Sequence, residues 1–463
     1  MKNIGNELLH GKGVPGISRL RFLSVAMSFW RNPLKFFSDI SRKYGDACRF
    51  PLLIWRAVLI SEPTMIRHVL VTGAEKYDKT TPFFEAVRFL SGSGLVTAEG
   101  DQWRRNRALL QPLFKKKNFD SWISVATDCC VEFCSRLESI SSTENVCNID
   151  ISREMEELTL RIISQTIFKV DLGGRVDRIC EEFCTILEFM GRYFRFPFPP
   201  IGFKTRRNNE ARAALRRLHD LIDGVIEERR ESSSSGTDIL GMLLSASDES
   251  NGRKLTTEEV RDEVITFFAG GSETPAHVLT WVWYLVSRHP ECESMLHKEL
   301  DENLAGRLPT AEDIPKLTYC RMVIEESMRL YPPFWMLMRR ARADDIIAGY
   351  KIKKGTCVLW SPWLLHRDER YWDSPEDFRP SRFDQQSSRA RHSSSFIPFG
   401  LGPRACIGNH LGMLQMTVIL ACVAQRFKFS LAPGQVVVPS PEITLHPRDR
   451  LIMQVSSRDV RVI

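Results

Sequence analysis

Apolar and polar positions divide the chain into segments of recognisable period. Thr256 and Glu259 have the spacing of a capping box. The apolar-rich stretch behind them, through Val264-Ile265-Thr266-Phe267-Phe268 to Ser287, predicts one long helix ending before Pro290. Such a helix reaches roughly 45–50 Å, enough to cross a domain. A second helix is expected to begin near Asp313, and another to cover Tyr319 to Leu330, where Tyr331-Pro332-Pro333 stops it. Runs around Val58-Leu59-Ile60, Ile346-Ile347, Cys357-Val358-Leu359-Trp360 and Leu451-Ile452-Met453 read as strands. Glu231-Ser232-Ser233-Ser234-Ser235-Gly236 reads as a flexible connection, and Asp384 to Ser395 as a serine-rich, basic meander.

Composition narrows the class. With 43% hydrophobic and 26% charged residues over 463 positions, the chain can bury a large core and is not disordered. Its twelve cysteines show no CxxC pair or disulfide framework, which fits reduced thiols. The longest early apolar run, Phe22 to Trp30, is fenced by Arg21 and Arg31 and is about half the length a bilayer needs. No transmembrane anchor is therefore expected, residues 1–32 read as an extension, and the expected location is cytoplasmic. The net charge of +7 is mild, yet Arg104, Arg105 and Arg107, Lys115-Lys116-Lys117, and Arg389, Arg391 and His392 form basic clusters. Basic residues interleaved with aromatics, as nucleic acid would require, do not occur, so no nucleic acid is expected. An acidic protein partner suits these clusters better.

The chemistry concentrates in Phe396-Ile397-Pro398-Phe399-Gly400-Leu401-Gly402-Pro403-Arg404-Ala405-Cys406-Ile407-Gly408. This glycine-rich loop carries one cysteine ahead of the apolar segment Leu411 to Val423, where a helix start would favour a thiolate. On its own, one cysteine among twelve could equally be a small buried hydrophobe. Upstream, Gly270-Gly271-Ser272-Glu273-Thr274-Pro275 interrupts the long helix with small residues and sets an acid beside a hydroxyl. Pro275 cannot donate to the carbonyl of Gly271, so a kink is expected there, opening carbonyls to water.

Phe399, Gly402, Arg404, Cys406 and Gly408 together resemble the haem-binding signature of the cytochrome P450 family. Further segments resemble other family motifs: Gly270 to Pro275 the oxygen-activation motif, Glu326 and Arg329 the E-x-x-R pair, Phe378 to Phe383 the P-x-R-F stretch, and Trp103 to Arg107 the W-x-x-x-R helix. The resemblance runs from about residue 33 to the C-terminus. It implies a mainly α fold with a small β region, a single triangular haem domain over 33–463. It implies haem b ligated by Cys406, with Arg404, Arg107, Trp103 and Arg339 as propionate partners, Arg340 being an equally basic neighbour of Arg339. Thr274 would hold the oxygen and water network, and Glu273 would relay protons from solvent. Pro275 departs from the family's usual Thr or Ser. The arginine of the P-x-R-F stretch, Arg382, would complete a buried ion triad with Glu326 and Arg329.

The activity so implied is a bacterial-type, haem-thiolate monooxygenase using O2. The chain has neither a flavin fingerprint nor iron–sulfur cysteine spacing, so electrons would come from a ferredoxin or flavodoxin with its NAD(P)H reductase. By the same resemblance, the substrate pocket would draw on a loop from Pro82-Phe83-Phe84 to Phe89-Leu90, and on a lid from Phe189 to Phe203 with Tyr193, Phe194, Phe196 and Phe198. Phe334-Trp335-Met336-Leu337 and Ile443-Thr444-Leu445 would add to it. Such a lining implies a hydrophobic small molecule, a terpenoid or other lipid-like compound. A haem-thiolate isomerase or peroxygenase, or a non-enzymatic haem sensor, would also keep Cys406, though the first two have little need of Glu273 and Thr274.

Overall fold

The computed structural model describes residues 11–52, 55–141, 147–168, 175–195, 200–231, 238–247 and 252–458. It is mostly helical with small sheets. Two compact units are present, each assembled from separate stretches of chain.

The first unit comprises Met1–Ala86, Arg329–Asp377 and Arg389–Cys406. Its centre is a five-stranded sheet in which Trp55–Ile60 lies between Ala47–Leu52 and Cys357–Trp360, followed by Leu337–Ala341 and Tyr77–Asp78. The pair Trp55–Ile60 and Cys357–Trp360 is parallel and the other pairs are antiparallel. Val58, Leu59, Ile60 and Cys357 to Trp360 are all buried, as expected of interior strands covered on both faces. Helix Phe22–Arg31 joins this core through Phe29, whose ring meets Phe36, Phe37 and Trp335.

The second unit comprises Val87–Met328, Phe378–Ser388 and Ile407–Ile463. Helix Asn409–Arg426 is buried from Leu414 to Gln425, which follows from apolar residues on all its faces. Around it pack Phe119–Ser141, Glu273–Arg288 and Pro290–Asn303, and Ile151–Phe168 packs in turn on Phe119–Ser141 and Glu273–Arg288. Cys147–Asp150, Ile452–Ser457 and Phe427–Leu431 form an antiparallel sheet.

Several expectations are corrected. No helix begins near Asp313; only the 3-10 turn Ile314–Lys316 forms, and helix Thr318–Leu330 starts after it. The buried Asp313 carboxylate instead accepts from the Thr310 N–H at 3.0 Å and from the Arg307 guanidinium at 2.7 Å, holding a turn. The meander after Asp384 contains the short helix Gln385–Ala390, with the Ser387 N–H donating to the Asp384 carboxylate at 2.7 Å. The stretch from Pro82 to Leu90 is helix Pro82–Ser91, not a loop. Thr81 and Pro82 stand at its start, where a hydroxyl cap and a proline are both favoured. Glu231 ends helix Arg206–Glu231, and the serines after it lie outside the described residues.

Candidate active site

In the first unit the cysteine loop is closed by backbone bonds. The Cys406 N–H donates to the Phe399 carbonyl at 2.9 Å and the Ala405 N–H to the Gly402 carbonyl at 3.0 Å. Gly400 and Gly402 both sit at φ 71°, in the left-handed region. A Cβ on Gly402 would also lie 2.1 Å from the Leu70 carbonyl oxygen, so the position admits no side chain. At the loop's entrance the Ile397 N–H donates to Nε2 of the fully buried His366 at 3.1 Å. Sequence reasoning missed His366, since a lone histidine after the short helix Pro362–Leu365 carries no signal. Cys406 itself is exposed, and helix Asn409–Arg426 begins three residues later. Nine of the twelve cysteines are buried, and burial pushes Cys48, Cys129 and Cys134 up to about 12, where thiolate is scarce.

The loop's arginines are in the same unit. Arg339 is buried, its guanidinium over the rings of Phe84 and Trp360 and donating to the Met338 carbonyl at 2.9 Å. Arg404 and Phe399 are half-buried. Arg329, fully buried, donates to the carbonyls of His366 at 2.9 Å, Pro375 at 2.6 Å and Asp377 at 2.9 Å, and lies over Trp372. It thus binds the segment from His366 to Asp377 by its backbone. In the second unit, the buried Glu326 accepts from Arg382 Nε at 3.2 Å and from the Arg379 N–H at 2.9 Å.

The second unit holds the acid-hydroxyl pair. The capping box at Thr256 and Glu259 forms as expected, but the long helix is two, Thr257–Gly271 and Glu273–Arg288, parting at Ser272. The carbonyl of Gly271, which Pro275 cannot serve, does not open to water: the Gln415 side-chain amide donates to it at 3.3 Å. The Ser272 carbonyl accepts from the Ala276 N–H at 3.1 Å and from the Thr159 hydroxyl at 3.0 Å. A Cβ on Gly271 would come 2.6 Å from Ile163 Cδ1, so glycine lets helix Ile151–Phe168 approach. Glu273 and Thr274 are half-buried. Glu273 accepts from the Thr444 hydroxyl at 2.7 Å, and Thr444 Oγ1 lies 2.8 Å from Nδ1 of His277. His277 stands four residues after Glu273 on one helical face, a spacing that could have flagged it.

Trp103 and Arg107 lie four apart and half-buried on helix Gly100–Leu110. Between them, the buried Asn106 donates to Glu263 at 2.9 Å, and Glu263 also accepts from the Leu95 N–H at 3.0 Å. Burial pushes Glu263 up to about 7, against these two hydrogen bonds. Arg104 pairs with Asp101 and Arg105 with Glu259, so two members of one basic cluster are matched by carboxylates.

A family profile described as Cytochrome P450 matches residues 15–453. The chain belongs to the cytochrome P450 family. Among curated relatives, this P450 is 34% identical to cyclooctat-9-en-7-ol 5-monooxygenase of Streptomyces melanosporofaciens over 89% of this chain and 88% of the relative. It is 32% identical to cyclooctatin synthase of the same organism, over 91% and 90% of the two chains. Pentalenene oxygenase of Streptomyces avermitilis is 31% identical, over 94% and 95%. Among solved structures, the cytochrome P450DA heme domain superposes with a TM-score of 0.87 at 23% identity, covering 98% of this chain and 99% of that one. The protein is a P450 monooxygenase. Among the described residues no helix is long and apolar enough to cross a membrane.

The residues of the P450 loop fit a haem held through sulfur: an exposed thiol stands on a turn whose Gly402 tolerates no Cβ. Of the segments expected to line the substrate pocket, Phe89, Phe189 and Tyr193 form a ring cluster, with centroids 5.8 and 6.0 Å apart. Trp335, Met336 and Leu445 are buried core, and Thr444 is part of a polar network. Phe203 is exposed, and Phe196 and Phe198 lie outside the described residues.

Proposed function

We propose that this P450 inserts one oxygen atom from O2 into a terpenoid, with Cys406 as thiolate ligand of haem b. Electrons come from a separate ferredoxin or flavodoxin with its NAD(P)H reductase. The exposure of Cys406 on a loop closed by the Phe399 carbonyl carries the reading, because most of the chain's other thiols are buried. Haem bound through a thiolate supplies O–O cleavage and an oxidant able to attack C–H or C=C bonds. Arg339 and Arg404 are assigned to its propionates, and the family pattern adds Trp103 and Arg107. Thr274 holds water and oxygen on the substrate side, and Glu273 relays protons from solvent. The presence of this acid-hydroxyl pair favours oxygen activation over an isomerase, a peroxygenase or a sensor. The terpenoid class is supported by the names of the relatives and by the apolar cluster of Phe89, Phe189 and Tyr193.

The test is a titration of the ferric protein with terpenoids, fatty acids and steroids, read by the haem absorption shift. The shift is expected with terpenoids, followed by oxygenated product when NADPH and a surrogate ferredoxin system are added. A shift with fatty acids alone would overturn the substrate class, and product formation without O2 would overturn the reaction.

A further inference from the structure

We infer that protons reach Glu273 through His277 and Thr444, from an entry point at the surface carboxylate of Glu156. The inference rests on the monooxygenase reading and names the route by which its acid is recharged. Glu156 on helix Ile151–Phe168 has a side chain 54% exposed, and its Oε1 lies 3.4 Å from His277 Nε2. His277 is buried, and its Nδ1 lies 2.8 Å from Thr444 Oγ1; Thr444 is buried as well. The Thr444 hydroxyl then donates to Glu273 Oε1 at 2.7 Å, and Glu273 is bonded in sequence to Thr274.

The direction follows from counting hydrogens. A hydroxyl has one hydrogen, and Thr444 gives it to Glu273, so toward His277 its oxygen accepts. Neutral His277 therefore carries its proton on Nδ1, and its Nε2 accepts from the Glu156 carboxyl when that group has taken a proton from solvent. A proton arriving at Nε2 releases the Nδ1 proton to Thr444, whose own hydrogen passes to Glu273. One proton enters, one is added to the carboxylate, and His277 ends neutral as the other tautomer, which a second exchange with solvent resets. The charged and titratable groups around His277 are Glu156 from helix Ile151–Phe168, Glu273 on its own helix, and His446 and Glu442 from the C-terminal segment. His446 stacks on the His277 ring at 5.1 Å, with Glu442 3.7 Å from its Nε2. Glu442 also lies against Gly191 of helix Arg175–Arg195. A clamp for Glu273 would need only Thr444. The imidazole behind it and the solvent-facing carboxylate behind that make the line continuous to water.

Two measurements test the route on the haem-loaded protein. In the ferrous–CO form, 15N NMR of labelled histidine is expected to show His277 as the Nδ1–H tautomer, shifting in Thr444→Val; an Nε2–H tautomer in the unaltered protein overturns the inference. Oxygen-dependent NADPH oxidation with excess surrogate ferredoxin, read from pH 6 to 9 in H2O and D2O, is expected to slow about fivefold or more in Thr444→Val and His277→Phe, with a flattened pH profile. Thr444→Ser, which keeps the hydroxyl, is expected to restore both. An unchanged rate and pH profile in variants that retain the thiolate CO spectrum overturns the relay alone. Absence of that spectrum in the unaltered protein overturns the haem-thiolate reading instead.

Discussion

The side-chain amide of Gln415 donates to the Gly271 carbonyl at 3.3 Å, on the turn where Pro275 has no N–H to offer. A helix broken beside Glu273 and Thr274 is thereby satisfied from the buried helix Asn409–Arg426. Gln415→Leu is expected to strand that carbonyl and to cost about 1–3 kcal/mol. Pro275→Ala restores a backbone donor, so Gln415→Leu should cost less in the Pro275→Ala background. Denaturant unfolding of the four proteins in the cycle measures this; an equal cost in both backgrounds would show that the two residues act independently.

Cys406→Ser is expected to abolish the thiolate-type CO difference spectrum of the reduced protein, while the Phe399 carbonyl still closes the loop on the residue-406 N–H. Retention of that spectrum would assign the iron to another residue.

Glu263 gives a signed pH dependence. Its folded pKa of about 7 lies above the ordinary carboxylate value, so the folded state binds this proton more tightly than the unfolded one. Stability from this group is full below about 4.5 and is lost as pH rises through 7. Glu263→Gln removes the titration. The melting temperature of the native protein relative to the variant should therefore fall between pH 5 and 8, by a free energy approaching about 3 kcal/mol. A difference constant over that range would mean that Glu263 is not held protonated.

Arg382 and Glu326 form a pair 3.2 Å apart with Glu326 fully buried. Arg382→Ala removes this guanidinium from the buried carboxylate and is expected to cost about 3–5 kcal/mol. Replacing both with apolar residues of similar volume should cost less than that single change. Chemical unfolding of each variant reads the difference, and the reverse order would argue that the pair contributes net stability.

The local code was largely legible. Thr256 and Glu259 predicted their cap, Cys357 to Trp360 its strand, and Pro332-Pro333 the end of a helix, because each signal acts within a few residues. Misreadings arose where local signals conflicted. Near Asp313, where a helix start was expected, the carboxylate instead holds the turn from Arg307 to Asp313, and the stretch from Pro82, expected as a loop by the family resemblance, opens with a Thr-Pro helix start.

For the chemistry, the sequence alone determined the family, the cysteine loop with its glycines, and the acid-hydroxyl pair, since their spacing is itself the signal. Only the tertiary structure decided what supports them. His366 under Ile397, Gln415 under Gly271, and Thr444 between Glu273 and His277 are partners 31, 144, 171 and 167 positions apart. No period or motif encodes such pairs. They exist because packing removes water from polar groups that must then find one another.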